Sequence, residues 1–164
     1  MYEKSIDLLN QAVADELMAV HQYMYFHFHL DDQGYDLLAA LFKRTAVEEM
    51  MHIERIAERI LFLKGDVKLE ASGPVQAITD PAAMLNMARD MEQQSVLDYN
   101  RMAVDCGNNA DSATKKIFED LVADEERHFG NYDTEADNLQ KFGQGYLALQ
   151  SIERAKTGGQ PGAE

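Results

Sequence analysis

The chain has 164 residues, of which 46% are hydrophobic, a formal net charge of −14 and a pI of about 4.6. This length predicts one domain with a sizeable core, and the acidic charge argues against nucleic acid as a partner because it repels phosphate. Cys106 is the only cysteine, which excludes an intrachain disulfide and any thiolate cage for zinc or an iron–sulfur cluster built from one chain.

The first half of the chain predicts two long helices made of good helix formers. The first helix is expected to run from an N-cap at Ser5 to about residue 30, and the second from about residue 35 to residue 63 or 64. The short turn over residues 31–34 predicts that the two helices pack antiparallel, and Gly65 is expected to stop the second.

A long irregular stretch separates the two halves of the chain. Residues 66–79 contain the helix-breaking sequence Ser72-Gly73-Pro74, and their length suits a crossover to the far end of a bundle. Asp80 is then expected to cap a third helix that has Pro81 at its first position. This helix is expected to end at residues 107–109.

The C-terminal part of the chain predicts a fourth helix from about Asp111 to Gly143 and a short fifth helix over about residues 146–155. The predicted domain covers residues 1–156, and the glycine-rich residues 157–164 are expected to form a flexible tail. The sequence shows no secretory signal, and no run approaches the roughly 18 apolar residues of a membrane span. A cytoplasmic protein is therefore expected.

A pair of short motifs carries the candidate chemistry. Glu49-x-x-His52 places a carboxylate and an imidazole on one face of the second helix, where both can bind one metal ion. One such motif is a weak signal because the spacing is common in helices. The same spacing recurs at Glu125 and His128, 76 residues further on, which gives the motif its weight.

The offset of 76 residues relates the two halves of the chain throughout. It carries Glu16 onto Glu92 and Tyr23 onto Tyr99, and each of these residues lies in an apolar stripe with steps of three and four residues. The chain therefore consists of two helical hairpins with the same polar insertion in their seams, and chance is a poor explanation for that match.

Four carboxylates and two imidazoles are expected to meet at the centre of the bundle, namely Glu16, Glu49, His52, Glu92, Glu125 and His128. Burying an unpaired carboxylate is costly, and two divalent cations would neutralise all four. Oxygen-rich ligands with one imidazole per ion suit iron or manganese. The alternative, that these side chains face solvent or pair with Lys and Arg, is ordinary for one Glu but not for six residues at matched seam positions.

The chain resembles bacterioferritin over nearly its whole length. The resemblance rests on Glu16-Leu17-x-x-x-x-Gln22-Tyr23, Glu48-Glu49-Met50-x-His52, Glu58-Arg59-Ile60-Leu61-Phe62-Leu63, Asp124-Glu125-Glu126-x-His128 and the short terminal helix. It implies an all-α, antiparallel, ferritin-like four-helix bundle with a long crossover between helices two and three.

The resemblance also implies a ferroxidase centre. Glu16 and His52 would hold one iron ion and Glu92 and His128 the other, while Glu49 and Glu125 would bridge them. Dioxygen or hydrogen peroxide would oxidise Fe(II) to Fe(III), and the ferric product would enter a mineral store. The implied store is a hollow shell of 24 subunits built from twofold dimers, with the fifth helix taking part in assembly and a ferredoxin-type reductant releasing the iron.

Met50 and Tyr23 have further expected roles. Met50 lies about 100° around the helix from Glu49 and so faces away from the metal centre, towards a possible neighbouring subunit. The resemblance implies that Met50 and its symmetry mate hold a b-type haem or related porphyrin; the alternative is ordinary apolar packing at an interface. Tyr23 either hydrogen-bonds a ligand carboxylate or has a redox role beside the di-iron centre.

Three other functions are compatible with this bundle. A rubrerythrin-like peroxidase usually has an extra Glu where this chain has Ser95, and a cysteine-rich domain that Cys106 alone cannot build. A non-catalytic haem-binding shell would hold metal for stability alone, and a Dps-like shell would differ in subunit number. Arg44 occupies a place where some bacterioferritins have a histidine that assists iron transit, so transit by that route is not expected here.

Overall fold

The computed structural model describes residues 1–157, apart from the side chains at positions 150, 151 and 154. This part of the chain forms five helices and no strand: α1 (Glu3–Asp32), α2 (Asp36–Phe62), α3 (Pro81–Asn108), α4 (Ser112–Phe142) and α5 (Gln144–Thr157). The predicted four-helix bundle with a short fifth helix is confirmed. Residue 157 closes α5, and the rest of the predicted tail, 158–164, lies outside the described residues. Within 1–157, no helix has the length and apolar character needed to cross a membrane.

The bundle is built from two hairpins, as the internal repeat predicts. Helix α1 packs mainly on α2, and α3 packs mainly on α4, while α1 and α3 bring the hairpins together. The turn between α1 and α2 is tight because Gly34 adopts a left-handed backbone conformation, with φ of 85°. This arrangement brings the polar middles of all four long helices to the same level of the bundle.

Two buried amide side chains on α1 fix the crossover between the hairpins. Asn10 Nδ2 donates to the Asp66 carbonyl at 3.0 Å, and Asn10 Oδ1 accepts from the Lys68 amide at 2.9 Å. One end of Gln22 donates to the Gln76 carbonyl at 3.1 Å and the other accepts from the Gln76 amide at 2.7 Å. The crossover therefore lies along α1 instead of extending into solvent.

The predicted cap of α1 is wrong. The helix begins at Glu3, and the cap position is Tyr2, three residues before the predicted cap and without a side-chain cap. Ser5 lies in the first turn, is fully buried, and directs its hydroxyl to Cys106 Sγ at 4.0 Å. The Ser5 hydroxyl thus contacts α3 and does not cap α1, and a local sequence pattern cannot show this. The prediction for Asp80 is confirmed, since its carboxylate accepts from the Ala83 amide at 2.9 Å.

Gly65 follows the end of α2 as predicted, but for a different physical reason. Lys64, not Gly65, takes the left-handed conformation, with φ of 65°. A Cβ on Gly65 would lie 2.8 Å from Ile6 Cγ2, closer than packed atoms approach. Glycine is needed at this position so that the chain can pass close to α1.

Two apolar clusters enclose the polar centre from both ends of the bundle. One cluster includes Phe26, Leu38 and Met84, and the other includes Leu9, Ile60 and Phe118. All six of these side chains are almost completely buried. The carboxylates between the clusters are therefore cut off from bulk water, which makes their uncompensated charge costly.

A buried ion pair ties α2 to the start of α4. Arg59 Nη2 donates to Asp111 Oδ1 at 2.8 Å, and the carboxylate of Asp111, 2% exposed, accepts from the Thr114 amide at 3.1 Å. Burial alone would raise the pKa of Asp111, but hydrogen bonds from Thr114 and Arg59 outweigh burial and lower it.

Asp111→Ala should reduce the free energy of unfolding by about 3 kcal/mol, because it removes a helix cap and leaves a largely buried Arg unpaired. Since the folded-state pKa is lowered, this stabilisation is present above the ordinary carboxyl pKa of 3.8 and is lost as the pH falls below it. Chemical denaturation at pH 7 and at pH 3 measures both effects. Asp120→Ala breaks a more exposed pair with Arg55 between the same helices and is the control, with an expected loss below about 1 kcal/mol. Equal losses for the two variants would contradict the prediction.

Candidate metal centre

Each of the four long helices contributes to the polar centre. The contributing residues are all 6% exposed or less: Glu16 from α1, Glu49 and His52 from α2, Glu92 from α3, and Glu125 and His128 from α4. The three- and four-residue steps of each seam place these residues towards the bundle axis. The structure thus brings together all six residues that the repeat singled out.

The six side chains form two overlapping sets of metal-binding atoms. One set is Glu16, Glu49, His52 and Glu125, and the other is Glu49, Glu92, Glu125 and His128. Within each set the candidate ligand atoms lie within 4.8 Å of one another. Two ligands on opposite sides of one ion are about 4.2 Å apart, so small side-chain shifts suffice for coordination. The two shared carboxylates are the pair predicted to bridge.

Several ligand atoms are buried without a hydrogen-bond partner in the described part of the chain. These atoms are Glu49 Oε2, His52 Nδ1, Glu92 Oε2 and Glu125 Oε1. His52 Nδ1 lies 2.8 Å from Glu49 Oε2 and 3.1 Å from Glu125 Oε1, yet neither contact has hydrogen-bond geometry. The atoms converge on a common point and do not pair with each other. This arrangement fits two bound cations, because orphaned buried polar atoms are otherwise costly.

The protein without metal balances part of this charge with protons on the imidazoles. Burial alone lowers the pKa of His52, but its close contacts with the carboxylates of Glu125, Glu16 and Glu49 outweigh burial and raise it. The same opposing effects raise the pKa of His128. These shifts favour the protonated form of both imidazoles in the metal-free protein.

The carboxylates differ in how they respond to burial. Burial, with repulsion from neighbouring carboxylates, raises the pKa of Glu49 well above its ordinary value. Burial and the charge of Glu125 raise the pKa of Glu92 to about 8. Burial and the charge of Glu16 would raise the pKa of Glu125, but its close contacts with Glu92 and the two imidazoles outweigh them and lower it. The metal-free centre thus holds extra protons, which bound cations would displace.

Two tyrosines hydrogen-bond the two carboxylates that are not shared. The Tyr23 hydroxyl donates to Glu92 Oε1 at 2.5 Å, and the Tyr99 hydroxyl donates to Glu16 Oε1 at 2.5 Å. Each bond joins the first half of the repeat to the second. Burial, followed by the nearby carboxylates, raises both phenol pKa values, so both residues remain donors. The hydrogen-bonding role expected for Tyr23 is present, and its redox role stays a prediction.

The outer nitrogens of the imidazoles also have carboxylate partners, which the two Glu-x-x-His motifs do not include. His128 Nε2 lies 2.8 Å from Glu48 Oε2, and His52 Nε2 lies 3.1 Å from Asp124 Oδ2. Burial would raise the pKa of Glu48, but hydrogen bonds with Arg127 and His128 outweigh it and lower the pKa to about 2. The sequence contains one sign of these two acids, because the 76-residue offset also relates Glu48 to Asp124.

Met50 lies apart from the metal centre, as its position on the helix predicts. Its side chain is 51% exposed and belongs to neither apolar cluster. The described residues therefore leave the Met50 thioether available for contact outside its own subunit.

A helical bundle around two overlapping Glu and His sets defines a ferritin-like protein, and residues 6–142 match the family described as a ferritin-like domain. A bacterioferritin from Desulfovibrio desulfuricans is 34% identical over 94% of this chain and 87% of its own length. A bacterioferritin from Rhodobacter capsulatus is 33% identical over 90% of this chain and 92% of its own length.

A solved structure gives the same result. The X-ray structure of the Desulfovibrio desulfuricans bacterioferritin, which describes its diiron site in different catalytic states, superposes with a TM-score of 0.89 at 34% identity. The match covers 90% of this chain and 86% of that chain. The chain therefore belongs to the bacterioferritin family.

Proposed function

We propose that this protein stores iron, and that its six buried Glu and His side chains form a ferroxidase centre that converts Fe(II) to Fe(III). The observation that carries the proposal is the pair of overlapping ligand sets, each with carboxylates and one imidazole and both sharing Glu49 and Glu125. Membership of the bacterioferritin family, and the likeness to a structure with a diiron site, support it.

The residues of the centre have distinct roles in this proposal. Glu16 and His52 hold one Fe(II) substrate ion, Glu92 and His128 hold the other, and the shared carboxylates keep the two ions together. Each Fe(II) ion supplies one electron to the oxidant. The four carboxylates favour the higher charge of the ferric product over that of the ferrous substrate, and the apolar clusters keep bulk water away.

The remaining features of the proposal follow from the family. Dioxygen or hydrogen peroxide is the proposed oxidant, and the proposed assembly is a shell of 24 subunits built from twofold dimers. A ferredoxin-type protein is the proposed reductant for iron release, and the cytoplasm is the proposed location. The net charge of −14 per chain supports attraction of cations to such a shell.

Aerobic loading with Fe(II) tests the function. The protein should speed Fe(II) oxidation and keep the ferric product, so that iron and protein elute together as a large particle on size exclusion. A small oligomer that consumes peroxide without keeping iron would instead indicate a rubrerythrin-like peroxidase. A shell that does not speed the oxidation would indicate a non-catalytic role.

Tyr23→Phe and Tyr99→Phe should slow Fe(II) oxidation to the same extent, by up to about tenfold, because each removes one hydrogen bond to a ligand carboxylate. The two hydroxyls make equivalent bonds of 2.5 Å in the structure. Stopped-flow oxidation of Fe(II) measures both rates. A much larger loss for Tyr23→Phe alone would contradict the shared role and favour a redox role for Tyr23.

We also propose that Met50 and its mate across a twofold axis hold a b-type haem or related porphyrin. The half-exposed thioether on the side of the bundle supports this proposal, because it lies on a surface that a second subunit can cover. When bound, such a group supplies one-electron chemistry, and Met50 contributes the sulfur ligand.

Met50→Leu should abolish haem binding, because leucine keeps the apolar bulk but has no ligand atom. The Soret absorbance per subunit of purified protein, after expression with a haem precursor, measures the effect. Met51→Leu changes a neighbouring methionine that is 54% exposed and is the control. Full haem content in Met50→Leu would contradict the ligand assignment.

A further inference from the structure

The two imidazoles are each anchored by an acid from the opposite helix. Glu48 on α2 contacts the outer nitrogen of His128 on α4, at 2.8 Å. Asp124 on α4 contacts the outer nitrogen of His52 on α2, at 3.1 Å. Such partners fix the plane of a ligand imidazole and keep its other nitrogen directed at the metal. Here the inner nitrogen of each ring, Nδ1, faces the carboxylates of the centre.

A single arginine contacts both anchoring acids. Arg127 Nη2 lies 2.6 Å from Glu48 Oε2, and Nη1 lies 3.4 Å from Glu48 Oε1. The same Nη2 lies 3.2 Å from Asp124 Oδ1. The residue 76 positions earlier is Met51, so the repeat has no second cation at the matching place. Arg127 is therefore common to the supports of both imidazoles.

We propose that Arg127 is a positioning residue that couples the two ion sites by holding both anchoring acids in place. Without its charge, Glu48 and Asp124 would repel each other and turn towards solvent, since their side chains are 39% and 41% exposed. Both imidazoles would then lose their fixed orientation. This inference rests on the proposed assignment of the six ligands.

A purely electrostatic role and a positioning role of Arg127 predict opposite effects of its removal on metal affinity. By Coulomb's law alone, the loss of a nearby positive charge should strengthen the binding of cations. Positioning predicts weaker binding, because removal of the partner of a metal ligand typically costs about ten- to a hundredfold in affinity. An exposed ion pair contributes little to stability, so the effect should appear in metal binding and not in folding.

Titration of metal-free protein with Co²⁺, followed by its absorption spectrum, tests the inference. Arg127→Met installs the residue found in the first half of the repeat and should weaken both Co²⁺ sites by at least about tenfold. Arg127→Lys keeps the charge but not the forked contact with the Glu48 carboxylate, so an intermediate loss is expected. Arg55→Met removes another arginine between α2 and α4, one paired with Asp120, and should leave both sites unchanged.

The outcomes separate this inference from the proposed function. Without metal, Arg127→Met should have the same melting temperature as Arg55→Met. Equal melting temperatures distinguish a positioning role from a general loss of structure. Unchanged or tighter Co²⁺ binding in Arg127→Met, or weakening of one site alone, would overturn the coupling role. Failure of the unmodified protein to bind two Co²⁺ ions per subunit would instead overturn the ligand assignment beneath it.

Discussion

Glu125→Ala is expected to slow the oxidation of Fe(II) by about a hundredfold or more, because it removes a carboxylate that belongs to both ligand sets. Loss of a shared ligand disturbs both ions and the distance between them. Stopped-flow absorbance after mixing with oxygenated Fe(II) measures the initial rate, and circular dichroism shows whether the helices remain.

The next residue in the chain provides a matched control. Glu126 is the same residue type on the same helix, but its side chain is exposed and lies outside both ligand sets. Glu126→Ala should keep the rate of the unmodified protein. Rapid oxidation in Glu125→Ala, or equal losses in the two variants, would show that the centre is not where the reaction occurs.

Metal binding is expected to release at least two protons per subunit at neutral pH. The raised pKa values of His52 and His128 favour protonated imidazoles in the metal-free centre, and an imidazole must lose that proton to bind a metal ion. Further protons leave Glu92, whose pKa is raised to about 8. Lowering the pH by one unit should therefore weaken the joint binding of two ions by about a hundredfold or more. Calorimetry in buffers of different ionisation enthalpy counts the protons.

The same pKa values predict how stability depends on pH without metal. The pKa of Glu92 is raised above its ordinary value of 4.5. Its contribution to the free energy of unfolding is therefore greatest below pH 4.5 and is lost as the pH rises through about 8. The raised pKa values of the two imidazoles also make the free energy of unfolding fall as the pH rises above their ordinary value of 6.5. The melting temperature of metal-free protein should thus fall from pH 5 to pH 8. A melting temperature that rises over this range, or metal binding without proton release, would contradict these protonation states.

The ligand set could be predicted because the sequence contains it twice. A single Glu-x-x-His motif would not have distinguished the centre from an ordinary solvated helix face. The offset of 76 residues supplied the second motif and also paired Glu16 with Glu92, which have no motif of their own. Helical periodicity then sufficed to place all six residues in the bundle seams.

The supports of the ligands were not predictable in the same way. The 76-residue offset relates Glu48 to Asp124, but both acids and Arg127 are partly exposed, and the sequence does not show which side chains they contact. Their role depends on which helix lies opposite, and only the folded bundle shows this. The same limit explains Ser5, whose partner Cys106 lies on another helix and is 101 residues away. It also explains why the partner of Tyr23 proved to be Glu92, in the other hairpin.

The number of Fe(II) ions bound per subunit tests the central claim most directly. Metal-free protein titrated with Fe(II) under anaerobic conditions should bind two ions tightly per subunit. Glu49→Ala should abolish tight binding of both ions, because Glu49 belongs to both ligand sets. One ion or none in the unmodified protein, or two tightly bound ions in Glu49→Ala, would contradict the two-ion ferroxidase centre.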